Sequence, residues 1–175
     1  MDILISSNLE RLIYHLSKND NKYVKHLMAE LKSNGKYTVS QEIKNYIDNL
    51  FYAGYTTDLQ TSETIKNVYN EYNYLLDTHT AVAYNVMKEF KEKDSRHKNI
   101  VLATASPYKF SKAVYESLFG ENNSDEFKIM ELLNEKTKVP IPENLRNLKN
   151  KKDIHTSVIN KKDMKNCFEV ILWLL

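Results

Sequence analysis

Thr104 and Ser106 place two hydroxyls two residues apart, directly after a short apolar run. The run is Ile100, Val101, Leu102 and Ala103, with no polar alternation. A strand covered on both faces of a parallel sheet reads this way. Ser106-Pro107 follows as a helix N-cap with proline at the first helical position. Phe110, Val114 and Leu118 then recur at four-residue spacing, as on one face of a helix. Both hydroxyls are therefore expected where a buried strand hands over to a helix. In open α/β sheets, ligands collect beyond the carboxyl ends of the strands. Two hydroxyls so placed can hydrogen-bond a ligand in that crevice. The same residues also suit a strand, a cap and a helix with no ligand at all. Thr104 would then bond to backbone, and Ser106 would be a plain cap.

The elements that must position these hydroxyls are mostly helical. Leu9, Leu12, Ile13 and Leu16 form an amphipathic stripe, with Ser7 and Glu10 as a capping box. Asn19-Asp20-Asn21 breaks it. Val24, Leu27, Met28 and Leu31 repeat the spacing, ended by Gly35. Ile43, Tyr46, Ile47 and Leu50 form a third stripe, opened by Thr38 or Ser40. Ile65, Val68, Tyr69 and Tyr72 form a fourth, opened by Thr61 or Ser62. Lys36 to Val39 and Phe51 to Thr56 are candidate extended pieces. A fifth helix begins near Asp77, with Val82, Met87 and Phe90 inward. Ile129, Leu132 and Leu133 mark a short helix. Pro140 and Pro142 force their neighbours into extended backbone. Ile154 to Ile159 alternates like a strand, and Met164, Cys167, Phe168, Ile171 and Leu175 form a last helical stripe. The organisation expected is a mainly helical part over 1–95 and an α/β part over 96–175. No glycine- or serine-rich linker separates them.

Composition excludes several classes. The 175 residues carry 42% apolar and 27% charged side chains, as soluble globular chains do. A formal charge of +2 is too small to argue for nucleic acid. No apolar stretch is long enough to span a bilayer or to act as a secretory leader. The single cysteine, Cys167, precludes an internal disulfide framework and suits a reducing compartment. Cytoplasmic residence is the expectation. His15, His26, His79, His97 and His155 are scattered without ligand spacing, so no metal site is expected.

Five ordered segments resemble the C-terminal part of the threonine synthase family. They are Asp2-Ile-Leu-Ile-Ser-Ser-Asn-Leu-Glu-Arg-Leu12, Phe51-Tyr-Ala-Gly54, Asp77-Thr-His-Thr-Ala-Val-Ala83, Thr104-Ala-Ser-Pro-Tyr-Lys-Phe110 and Val139-Pro-Ile-Pro142, the last followed by His155-Thr156. Thr78 stands where the family usually has proline, Ser106 where histidine is common, and Tyr108 where alanine is common. The resemblance implies an α/β, helix-rich chain forming the C-terminal part of a fold type II pyridoxal-phosphate enzyme. Amphipathic helices would pack with a few mostly parallel strands. The reaction implied converts O-phospho-L-homoserine and water to L-threonine and phosphate. Phosphate leaves the γ carbon and water adds at the β carbon.

The resemblance also assigns residues. Thr104 occupies the position whose hydroxyl faces the pyridine nitrogen of pyridoxal phosphate, and Ser106 is a second cofactor-binding candidate. Ser7, Asn8 and Arg11 are candidates for the substrate-phosphate environment, since a guanidinium offers paired donors to phosphate; alternatively Ser7 and Asn8 cap the first helix and Arg11 is surface. His79 is a substrate-binding candidate or a first-turn structural residue. No catalytic residue is expected in this chain. The family's Schiff-base lysine and glycine-rich phosphate cradle lie upstream of the matching region, and Lys109 is not that lysine. The three glycines, Gly35, Gly54 and Gly120, are isolated. The partners implied are O-phosphohomoserine, the missing N-terminal part and a second copy of the chain. The isolated chain is expected to be inactive. A helical interaction module that has shed catalysis is the alternative.

Overall fold

A computed structural model describes residues 5–154 and 158–166. Eight α-helices are present among them: α1 Ser7–Leu16, α2 Asn21–Asn34, α3 Gln41–Leu50, α4 Asp58–Tyr72, α5 Thr78–Lys93, α6 Ser111–Phe119, α7 Glu126–Thr137 and the single turn α8 Glu143–Arg146. The chain divides into two compact units. One holds the residues up to Tyr55 with Lys88–His97; the other holds Thr56–Met87 and the residues from Lys98 onward.

In the first unit, Asp20 opens α2 by accepting the Lys22 and Tyr23 amides at 2.9 and 3.0 Å. Gly35, at φ 70°, ends it in the left-handed region where a Cβ is costly. Ser40 opens α3, and the Tyr23 hydroxyl accepts the Ser40 amide at 2.8 Å. Ile13, Val24, Leu27 and Ile43 form the core. These are inward positions of the expected stripes. Tyr46 and Leu50, on the same stripe as Ile43, are exposed.

In the second unit, α6 packs on both α4 and α7. Ile65, Val68, Val114, Ile129, Met130 and Leu133 meet there, and Val114, Ile129 and Leu133 are fully buried. Thr57 caps α4 through a reciprocal box with Gln60, one turn before the expected Thr61 or Ser62. Thr61 and Thr64 instead lie inside the helix and donate to the Thr57 and Gln60 carbonyls. In α1 the cap is likewise Ser6 rather than Ser7, accepting the Leu9 amide. Of two adjacent serines, the first has the extended backbone that a cap requires (φ −93°, ψ 103°).

The expected strands are corrected. Among the described residues no strand forms, and Ile100 to Ala103 has no regular secondary structure. Ile100 and Leu102 are 87% and 73% exposed. A strand apolar on both faces needs a paired neighbour and covering layers, and no described segment supplies the pairing. Lys36 to Val39 and Phe51 to Thr56 are irregular as well. The Ile154 to Ile159 strand and the last stripe from Cys167 fall wholly or partly outside the described residues.

The core makes a measurable contrast. Leu133→Ala should destabilise the chain by about 2–5 kcal/mol in urea unfolding, because it opens a cavity among three helices. Leu102→Ser, at an exposed position, should leave the midpoint nearly unchanged.

Candidate functional site

Three of the motifs meet within the second unit. The Asp77 carboxylate, 2% exposed, opens α5. It accepts the His79 amide at 2.8 Å, the Thr80 amide at 3.2 Å and the Thr80 hydroxyl. An anionic acceptor is suited to that end of a helix, where four amides lack intrahelical partners. This cap fixes the first turn of α5 and so the ring of His79, which is exposed and stands edge-on to Phe110 at 4.9 Å.

Phe110 closes a 3-10 turn, Pro107–Phe110, which Ser106 opens. The Ser106 hydroxyl accepts the Tyr108 amide at 3.3 Å, and its carbonyl accepts the Lys109 amide at 3.0 Å. Ser106 therefore acts as a cap. Thr104, two residues earlier, is exposed. The Tyr108 ring enters the core, and its hydroxyl donates to the Val139 carbonyl at 2.5 Å. That bond joins the Ser-Pro-Tyr-Lys-Phe turn to the Val-Pro-Ile-Pro segment across 31 residues. The structure thus brings His79, Ser106 and the Thr104 backbone segment into one unit.

Sequence reasoning placed Tyr69 and Tyr72 on an apolar stripe and missed what the tyrosine hydroxyls of this unit do. A groove of about 360 Å³ is lined by Val68, Tyr72, Tyr74, Thr80, Val101 and Ala103, among others. Hydrogen bonding to the Glu71 carboxylate and to Tyr84 pushes the Tyr72 phenol up to about 12. Burial likewise pushes Tyr108 up. The signal was present as an excess of one residue type, 12 tyrosines in the chain. Periodicity treats a tyrosine as an apolar position and is blind to its hydroxyl.

Ser7, Asn8 and Arg11 lie in the other unit, exposed on the first turns of α1. Arg11 donates to the Asn8 side-chain carbonyl. Ser7 and Arg11 line an open groove of about 580 Å³ with Glu10, Tyr14, Lys25 and Met28. The groove presents a guanidinium and an ammonium beside one carboxylate. Such a donor set is chemically suited to an anion, though exposed charges are strongly screened.

The donor chemistry fits one end of pyridoxal phosphate and not the other. A threonine hydroxyl such as that of Thr104 suits a ring nitrogen. Gly35, Gly54 and Gly120 stand apart in the sequence, so no described segment is a glycine-rich turn able to wrap a phosphate closely. Every described lysine is exposed. Among the described residues no group of three His, Cys, Asp or Glu side chains could hold a metal, and no helix is long and apolar enough to cross a membrane.

Comparison with known proteins agrees with this anatomy. Residues 80–171 match the family model described as threonine synthase, C-terminal. Threonine synthase of Saccharomyces cerevisiae is 37% identical over 138 residues, which cover 70% of this chain and 27% of that protein. The crystal structure of threonine synthase from yeast superposes with a TM-score of 0.67 at 32% identity, covering all of this chain and 36% of the other. An X-ray structure titled as PLP-bound threonine synthase from Brucella melitensis gives 0.64 at 31% identity, over 96% of this chain and 32% of that one. A chain with this helical scaffold and these motifs belongs to the threonine synthase family. It spans about a quarter of the length of the curated relatives it matches.

The tyrosine cluster has a pH signature. Raised from an ordinary value of 10.0 to about 12, the Tyr72 phenol favours the fold in its neutral form. Its contribution is therefore complete below pH 10 and is lost as pH rises through about 12. In an alkaline absorbance titration, Tyr72→Phe should remove a late phenolate transition and leave the earlier ones in place.

Proposed function

We propose that this chain supplies the C-terminal portion of a threonine synthase, the enzyme that converts O-phospho-L-homoserine and water to L-threonine and phosphate. The observation that carries the reading is the family match over residues 80–171, within which Ala81 and Tyr108 share one buried core. In the complete catalytic unit, residues 96–175 would finish the cofactor domain and residues 1–95 would form the mainly helical part. The exposed apolar run Ile100 to Ala103 supports this reading, since it has the composition of a strand that pairs with polypeptide from elsewhere. The unit would act on a small metabolite in the cytoplasm.

Within that unit Thr104 is the residue assigned to the pyridine nitrogen of pyridoxal phosphate. Bound there, the cofactor supplies an electron sink. A neutral hydroxyl at the nitrogen contributes a hydrogen bond without forcing a proton onto the ring. Ser106 holds the turn that follows and offers a second hydroxyl nearby. Arg11, with Ser7 and Asn8, contributes to the environment of the substrate phosphate through paired N–H donors. His79 borders the substrate, its position set by the Asp77 cap. The lysine and the phosphate cradle come from the polypeptide that the relatives have and this chain does not match.

A second reading is a non-catalytic helical interaction module. The departures at Thr78, Ser106 and Tyr108 favour it, since the Ser106 hydroxyl serves as a cap and the Tyr108 ring enters the core.

The two readings separate on mixing. The chain should release no phosphate from O-phosphohomoserine alone, and should do so when combined with the cofactor-binding part of a threonine synthase. Turnover by the chain alone, or none from a mixture that demonstrably assembles, would refute the proposal. Thr104→Val in the active assembly should lower turnover roughly tenfold, the worth of one hydrogen bond of about 1.4 kcal/mol. Ile100→Lys with Leu102→Lys should abolish assembly and keep the isolated chain monomeric in sedimentation, where the unmodified chain self-associates.

A further inference from the structure

The turn Pro107–Phe110 is one short 3-10 segment, too brief to hold its own geometry. Something else must fix it, and the apolar run before it does not. Ile100 and Leu102 are exposed and Thr104 is exposed. The anchorage therefore comes from the residues after Ser106. Within the turn Tyr108 is the most deeply buried, 3% exposed in the cluster that includes Ile65, Val114 and Leu133, while Phe110 packs against that cluster from its edge.

A buried phenol must place its O–H on an acceptor. Here the acceptor is the Val139 carbonyl, at 2.5 Å. That carbonyl is itself well held. The Asn134 side-chain amide donates to it at 2.7 Å. The Val139 amide donates to the Thr137 hydroxyl at 3.3 Å, and that hydroxyl donates to the Leu133 carbonyl at 2.7 Å. Lys138, at φ 61°, ends α7 just before, and Pro140 restricts the backbone just after. The end of α7 is thus a rigid post. The phenol ties the turn to this post, and the residues at 104–106 run directly into the turn.

We propose that Tyr108 is a positioning residue: its hydroxyl, bonded to the Val139 carbonyl, sets where the backbone of Thr104 to Ser106 stands. It touches neither substrate nor cofactor and acts through the turn. The catalytic consequence rests on the reading that Thr104 serves the cofactor ring; the anchoring itself does not. Burial pushes the phenol up from its ordinary value, so the donor is present throughout the neutral pH region.

Tyr108→Phe keeps the ring and removes only the donor. In hydrogen–deuterium exchange of the isolated chain, the amides of residues 104–110 should exchange at least tenfold faster, while those in the middle of α4 and α7 keep their rates. Asn134→Ala, which removes the post's other donor, should loosen the same segment. Unchanged exchange at 104–110 in Tyr108→Phe, or an equal acceleration across all helices, would overturn the proposal, because a ring that merely fills the core predicts one or the other. In the active assembly, Tyr108→Phe should lower kcat with KM for O-phosphohomoserine unchanged, and should shift the cofactor absorbance band in the direction that Thr104→Val shifts it. Local loosening with an inert Thr104→Val would uphold the anchor and refute the role given to Thr104. An active-site effect of Thr104→Val with no local loosening in Tyr108→Phe would do the reverse.

Discussion

Helix α6 lies between α4 and α7, and its Val114 is sealed from solvent along with Ile129 and Leu133. Burial of that apolar seam is what places every motif of the second unit. The helix cannot slide without exposing Val114, so the turn that feeds it is held against the end of α7. The cap at Asp77 is drawn in by the same packing, since Leu75, Leu76 and Ala81 on either side belong to the same core. Area removed from water sets the scale, with each fully buried aliphatic side chain worth about 1.5–3 kcal/mol. The hydrogen bonds at Asp77 and Tyr108 then choose one arrangement among those that would bury the same surface. An unmet buried carbonyl or carboxylate costs more than a formed bond returns.

Polar and apolar exposure are distributed differently in the two units. The first carries its candidate residues on an open helix surface, where Arg11 and Lys25 border a wide groove. The second carries them on a turn and a helix start, with backbone fixed by buried side chains. Loops held by a rigid scaffold are where binding residues concentrate. The chain spans about a quarter of the length of the curated relatives it matches, and its apolar Ile100 and Leu102 are exposed.

Much of the helical layout was legible. Stripes at 3.6-residue spacing located α1 to α4 and part of their inward faces, with Leu9, Tyr46, Leu50 and Tyr72 exposed, because the period of an amphipathic helix depends only on the chain itself. Boundaries were less legible. Ser6 against Ser7, and Thr57 against Thr61, were decided by which residue had extended backbone available, and composition does not carry that. The apolar run at Ile100 misled for a different reason. Its composition reports the environment for which it is suited, whereas its conformation here depends on partners that no described segment provides.

The sequence by itself determined most of the helices and membership of the family, because local periodicity and motif order survive without tertiary context. Only the tertiary structure decided that Tyr108 bonds Val139, that His79 meets Phe110 and that Ile100 to Ala103 stays unpaired. Each of those joins, or fails to join, residues far apart in the chain, and the free energy of such contacts resides in the packing of a whole core.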